Sequence, residues 1–257
     1  MPEGLEAEIW RRACVPLVGR TIVDVVADER VVPTGFGQVV TAAEIVGVRR
    51  LGKVVVLDTD RAVIGVHFAM TGRLVVDGRA PIERLAYSSG RDDPRWDRLT
   101  LFADHAGAPA ALRFNDPRRL GHVSLDADFD GLGVDYSAVT PRRLTAALVG
   151  RRSAIKPTLL DQGAVAGIGN LCADEVLWWA GLAPARTADS LDADEVARLA
   201  RTIRRRLAIM LRRGGSTTGT IDPAVRAGCP PCPRDGTPLR RSTIAGRTAV
   251  WCPGHQQ

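Results

Sequence analysis

The spacing of apolar residues changes partway along the chain, and no single layer of secondary structure accommodates both patterns. From Thr21 to about Val123, short β-branched runs ("TIVDVVADERVV", "VVVLDTD", "AVIGVHFAM", "RLVVDG", "LTLFAD") alternate with Gly, Pro and Asp turns. That spacing predicts an antiparallel sandwich or barrel. Ahead of it, Leu5 to Val18 has the apolar spacing of one helix, ended near Pro16 or Gly19. A boundary follows in "SLDADFDGLGVDYSAVTP", which is rich in turn residues. Beyond it "PRRLTAALVG", "KPTLLDQGAVAG", "NLCADEVLWWAG" and "DADEVARLARTIRRRLAIMLRRGG" carry apolar residues at three- and four-residue intervals, several stopping at glycine. The expectation is an α+β, multi-domain chain: residues 1–124 an N-terminal β-sandwich with a leading helix, 125–221 a helical domain, and 222–257 a third unit.

With 257 residues, 45% hydrophobic and 25% charged, the chain has enough material for a real core. Its apolar runs, such as "VVVL" at 54–57, end far short of the ~20 residues a bilayer demands, and no signal peptide precedes the motifs. A soluble cytoplasmic protein, monomeric and without a membrane partner, is expected.

The net charge of +6 suggests an anionic partner. Only two of the 35 basic residues are lysines, Lys53 and Lys156. Lysine can donate and accept a proton where arginine stays charged, so these two stand out as candidates for chemistry. The longest helical stretch exposes Arg201, Arg204, Arg205, Arg206, Arg212 and Arg213; a solvated face and a phosphate-contacting face both fit that pattern.

Five cysteines divide unevenly. Cys14 and Cys172 lie in apolar surroundings and read as buried thiols. The tail, "CPPCPRDGTPLRRSTIAGRTAVWCPGHQQ", has Cys-x2-Cys, nineteen residues, then Cys-x2-His. Two close pairs of soft ligands around a hairpin-sized stretch predict one structural, tetrahedral zinc ion held by Cys229, Cys232, Cys252 and His255. The metal would supply folding energy that so short a segment cannot obtain by burial. Between the pairs, "IAGRTAV" predicts a turn centred on Gly246 and Arg247, with a guanidinium at its tip suited to a phosphate.

Two further stretches are unusual. The chain opens "MPEGLEAEIW". The plainer reading is a frayed terminus ahead of an amphipathic helix. Removal of the initiator Met would instead leave the secondary amine of Pro2 beside the carboxylate of Glu3. An α-amino group titrates near ~7.7–8.0 against ~10.4 for lysine, and the neutral amine is the nucleophile. In "GAVAGIGN", Gly163, Gly167 and Gly169 permit close backbone approaches, and Asn170 is placed to begin a helix whose amides attract an anion.

"LLDQGAVAGIGNLCADEVLWWAGLAP" resembles the helix-two-turns-helix element of the formamidopyrimidine-DNA glycosylase/endonuclease VIII family of base-excision repair enzymes. The resemblance extends over essentially the whole chain. "PEG" resembles the family's catalytic N-terminus, "RRLGKVVVL" its lysine-bearing strand, "HFAMTGRL" and "RFNDPRRLGH" its DNA-probing loops, and "AGRTAVWCPGHQ" its zinc-finger hairpin. It implies a glycosylase with lyase activity toward double-stranded DNA containing damaged bases or abasic sites, so the protein would be nucleoid-associated when bound. The flipped-out lesion would be attacked at C1′ by the Pro2 amine, with Glu3 as acid/base. Lys53 and Arg247 would serve at the reacting phosphates. Glu6, Lys156, Gly169 and Asn170 would lie at the DNA-binding site, and Met70, Arg118 and Leu120 would fill the gap left by the flipped base. β- and then δ-elimination would follow.

Departures bear on substrate choice. Leu120 stands where the family commonly has phenylalanine, Leu5 replaces a usual proline, and only a short link joins "GGSTTG" to Cys229, where 8-oxoguanine-specific members carry a long capping loop. These imply weak 8-oxoguanine recognition and a bias toward ring-opened purines, hydantoins, oxidised pyrimidines or bare abasic sites. A non-catalytic sensor of damaged DNA on the same scaffold fits everything but Pro2, Glu3 and Lys53. A zinc-ribbon RNA-binding protein fits the charge and cysteines but not the N-terminus.

Overall fold

The β-branched runs become eight strands that pair antiparallel in two sheets. They are β1 (Thr21–Ala27), β2 (Ile45–Leu51), β3 (Val54–Thr59), β4 (Val63–His67), β5 (Arg73–Val76), β6 (Asp97–His105), β7 (Ala108–Asn115) and β8 (His122–Leu125). The sheet orders are β1-β6-β7-β5 and β2-β3-β4-β8. This is a computed structural model, and it describes residues 2–82, 85 and 90–257. The described residues form two units: Pro2 with Glu6–Phe129, and Glu3–Leu5 with Asp130–Gln257.

In the first unit, inward residues of both sheets meet in one core. Ile22, Leu101, Leu112 and Phe114 come from one sheet, and Ile45, Leu57, Ile64 and Val66 from the other. Period-two alternation dictates this arrangement, because successive side chains of a strand face opposite ways. Helix α1 (Gly4–Cys14) adds Trp10, whose ring centroid is 4.1 Å from that of Phe68. The α-helix ends sooner than its apolar spacing predicts: Pro16, lacking an N–H, sits in a 3₁₀ turn over Val15–Leu17. The strand expected to run on through "DERVV" also stops early, at Ala27. Asp28 turns the chain by accepting from Arg30 and Arg119, and a short helix α2 (Phe36–Val40) follows.

The second unit is built around α5 (Asn170–Ala180), whose residues from Leu171 to Trp178 are all buried. A helix buried on every side belongs inside a core, and its two acids, Asp174 and Glu175, are buried with it because each is paired with a cation. Around it lie α3 (Pro141–Leu148), α4 (Ile155–Leu160) and the long α6 (Ala193–Arg213), with a short parallel pair of strands, β9 (Val134–Asp135) and β10 (Val165–Ala166). The amphipathic α6 buries Val196, Leu199, Ile203, Leu207 and Met210. A reciprocal capping box between Asp192 and Glu195 starts it, and left-handed Gly214 ends it. Helix α7 (Pro223–Gly228) leads to the hairpin β11 (Arg240–Ile244) and β12 (Arg247–Trp251). The hairpin's small core, Cys232, Leu239, Val250 and Cys252, also includes Trp178 of α5 and Ile221. Among the described residues no helix is long and apolar enough to cross a membrane.

Candidate active site and nucleic-acid surface

The first amides of a helix have no intrahelical acceptors and draw negative charge. At α5 the N-cap is Gly169, not Asn170, and it has no side chain with which to accept them. Glu3 supplies the missing acceptor. Its carboxylate accepts from the backbone N–H of Gly169 (2.9 Å), Leu171 (2.7 Å) and Cys172 (3.1 Å), and the residue is 1% exposed. The anion expected at this helix start is therefore a side chain of the chain itself. Gly169 is required by proximity, since a Cβ there would stand 2.3 Å from the Glu3 carboxyl carbon. Gly4 is required for the same reason: its N–H donates to the Gly167 carbonyl at 2.8 Å, and an added Cβ would press on the Gly167 backbone. "PEG" and "GIGN" thus fit together as one backbone-to-carboxylate lock, with Pro2, buried, immediately before it in sequence. Asn170 begins α5 half-buried, and its side-chain oxygen has no hydrogen-bond partner among the described residues. Glu6 is buried in the first turn of α1.

Lys156 is not where the resemblance implies. It is fully buried: its Nζ lies 2.7 Å from the Asp174 carboxylate and donates to the Thr248 carbonyl at 2.5 Å. A phosphate outside the fold is beyond its reach. Asp174, itself buried, also pairs with Arg226 of α7 and accepts from the Val250 N–H at 3.0 Å, while Arg226 donates to Thr248 at 3.1 Å. Two cations from α4 and α7 therefore fix β12 one residue after Arg247. Arg247 is exposed and opens β12. The turn before it is centred on Ala245 and Gly246, at φ 46° and 73°, and not on Gly246 and Arg247 as the spacing predicts. Two left-handed residues make the tight turn whose twist matches a hairpin.

In the first unit, Lys53 stands in the two-residue turn between β2 and β3. Burial, the neighbouring His122 and the Lys53 charge push His67 on β4 down to about 4. The loop after β4 holds Met70, half-buried, and the loop after β7 holds Arg118 and Leu120, both exposed. Asp116, which is fully buried, ties the two loops together. Its carboxylate accepts from the Thr71 hydroxyl (2.5 Å) and from the N–H groups of Arg118 (3.2 Å), Leu120 (2.8 Å) and Gly121 (2.8 Å). Sequence reasoning passed over Asp116. The available signal was an Asp ahead of a proline turn, where an acid accepts following amides.

The tail corrects the expected ligand set. Cys232, Asp235, Cys252 and His255 bring their donor atoms within 4.8 Å of one another, and Cys229 is not among them. Cys229 ends α7 in a left-handed conformation (φ 44°), with its sulfur 3.9 Å from the Arg226 carbonyl. Asp235 takes its place, giving Cys-x2-Asp and Cys-x2-His with sixteen residues between the pairs. The His255 ring places Nε2 3.2 Å from the Trp178 carbonyl and Nδ1 2.8 Å from the Asp235 carboxylate and 3.8 Å from the Cys232 sulfur. Two thiols, an imidazole and a carboxylate at this spacing can hold a metal ion.

A β-sandwich whose loops after β4 and β7 share one buried carboxylate, and a helical unit that seats the Glu3 carboxylate at a helix start, are the features of a DNA glycosylase of the helix-two-turns-helix type. Comparisons with known proteins agree. Residues 1–123 match the model of the formamidopyrimidine-DNA glycosylase N-terminal domain, and residues 131–222 that of the formamidopyrimidine-DNA glycosylase H2TH domain. The formamidopyrimidine-DNA glycosylase of Paracoccus denitrificans is 33% identical over the full length of both chains. That of Herpetosiphon aurantiacus is 32% identical over 98% of each. Among solved structures, a complex of Lactococcus lactis Fpg with abasic-site DNA superposes at a TM-score of 0.80, with 26% identity over 99% of each chain. A complex of the same protein with DNA containing N7-benzyl-Fapy-dG gives 0.81 and 26% over the full length of both. The chain belongs to the formamidopyrimidine-DNA glycosylase family.

Proposed function

We propose that the protein excises ring-opened and oxidised bases from duplex DNA and then cleaves the strand, through an iminium between Pro2 and the deoxyribose. The observation that carries this is the lock on Glu3: three backbone N–H groups hold a buried carboxylate at the residue after Pro2. An ionised carboxylate held this way can take the proton from the attacking Pro2 amine and offset the positive charge of the iminium. Attack forms the N–C1′ bond as the glycosidic bond breaks and the base departs; the C1′–O4′ bond then opens, O4′ taking the proton that Glu3 accepted from the amine, and the nitrogen lone pair completes the iminium. Loss of the C2′ proton then expels the 3′ phosphate, and δ-elimination expels the 5′ phosphate. The enzyme is therefore a lyase as well as a glycosylase.

Arg247 and Asn170 are assigned to the DNA backbone, since one is an exposed guanidinium on a braced hairpin and the other is a half-buried amide at a helix start whose NH2 group can donate to a phosphate. Lys53 is assigned to a phosphate and to proton transfer, and Glu6 to positioning. Met70, Arg118 and Leu120 enter the gap in the stack, with Leu120, 44% exposed, as the apolar wedge. A zinc ion on Cys232, Asp235, Cys252 and His255 would brace the hairpin, while Asp174 and its two cations support the same strand. We retain the division at 124 and 221 as a functional partition into catalytic, DNA-binding and zinc modules.

Weak preference for 8-oxoguanine is supported by the link before the hairpin. Its residues 223–228 are folded as α7, and Arg226 is committed to Asp174, so this segment is not an open capping loop. Borohydride added during incubation with abasic-site duplex tests the chemistry. Wild type is expected to be trapped covalently, and protein whose N-terminal amine has been acetylated is not. Lack of trapping of the wild type would leave a non-catalytic binder. Single-turnover comparison of duplexes carrying each lesion tests the preference, and fastest excision of 8-oxoguanine would overturn it.

A further inference from the structure

From Val196 to its end, α6 carries seven arginines and no carboxylate. Arg206 is spent on the buried Glu175 at 2.8 Å, and Arg198 reaches Glu195 at 3.9 Å. Arg201, Arg204, Arg205 and Arg212 are exposed, and none makes an ion pair among the described residues. At 3.6 residues per turn these four share one face of the helix and span roughly 16 Å. Arginines three and four apart repel by about 0.2–0.5 kcal/mol per pair, and nothing in the fold offsets that here. A shallow groove of about 310 Å³ runs between α6 and Trp179, lined by Arg198, Arg201, Arg205 and Arg206, and a second hollow of about 580 Å³ lies over the helix face itself, between Arg201, Arg204, Arg205 and Arg212.

The stripe is separate from the lesion site. Trp179 lies nine residues along α5 from Asn170, roughly 14 Å at 1.5 Å per residue. The chemistry it offers is a row of planar, permanently charged forks, which suits phosphates. Single strands are held by successive aromatic platforms. Helix α6 contains no aromatic residue, and Trp179 is already covered by the Arg206 guanidinium at 4.0 Å. A duplex, recognised by its backbone alone, is the occupant that fits.

We propose that this arginine face is a second, lesion-independent binding surface for duplex DNA, holding a neighbouring segment while the first site engages its lesion. The proposal rests on the reading of duplex DNA as the partner. The test uses the full chain saturated with a short abasic-site duplex carrying one dye, to which a longer undamaged duplex carrying a second dye is added. Two-colour co-migration reads a ternary complex. Wild type is expected to form it, and each arginine–phosphate contact removed in a variant is expected to flatten the log–log salt slope of this second step by about 0.9. R201Q/R204Q/R205Q/R212Q is expected to bind the second duplex at least tenfold more weakly, with short-duplex affinity and single-turnover excision within twofold of wild type. The matching lysine variant is expected to retain most of the second-site affinity. Equal uptake by wild type and the glutamine variant would overturn the proposal, as would preferential uptake of a single strand or of anionic vesicles. Excision on the short duplex is read in the same samples, so failure of the enzymatic reading is seen separately.

Discussion

Gly169 carries more of the site than its size suggests. Any side chain there enters the space of the Glu3 carboxylate, whose Cδ would be 2.3 Å from the new Cβ. We expect Gly169→Ala to displace Glu3 and reduce single-turnover excision about a hundredfold, the loss that ~1 Å of misplacement can cause. Glu3→Gln, which keeps the shape but removes the charge, should cost at least as much. The pairing of Glu3 with Gly169 was not legible in the sequence, because 165 residues separate them and neither motif names the other. His67 gives a second residue-scale expectation. Burial holds its pKa at about 4, below its ordinary 6.5, so the neutral ring is favoured in the fold. The unfolded chain therefore binds the extra proton first. The stability contributed by this preference is complete above pH 6.5 and is lost as pH falls toward 4. Urea midpoints measured across that window should fall less steeply for His67→Gln than for wild type.

At the scale of elements, the C-terminal hairpin shows how a motif misleads. Cys229 and Cys232 have the spacing of a ligand pair, yet Cys229 is consumed in ending α7, and the Asp two residues past Pro233 completes the cluster. Spacing alone cannot distinguish two overlapping pairs; the fold of the preceding helix decides. We expect Cys229→Ser to retain its bound zinc by elemental analysis. Cys232→Ser should lose it, and Asp235→Asn should hold it more weakly against a chelator. Equal loss from Cys229→Ser would restore the original assignment. The loops after β4 and β7 were legible as loops, but the carboxylate joining them was not. Asp116→Ala frees the Thr71 hydroxyl and three backbone amides at once, and should slow excision from a mismatched lesion pair without abolishing trapping on an abasic site.

For the whole molecule, the change of periodicity near residue 124 foretold a β unit followed by a helical one, because burial patterns of two and 3.6 residues are read directly from spacing. What escaped were pairings between distant groups that no motif names, such as Glu3 with Gly169 and Asp116 with Thr71. Lys156, conspicuous as one of two lysines, is a buried tie and not a phosphate contact. Breaking its pairing with Asp174→Asn leaves uncompensated buried cations, and we expect a loss of about 3–5 kcal/mol, read as a fall in the unfolding midpoint of the helical unit. The anchoring of two loops by Asp116 carries one more implication. Because a single hidden carboxylate sets the register of both, neither can be lengthened, swapped or redesigned by itself. Anyone transplanting these loops into another scaffold must move the pair as a single cassette.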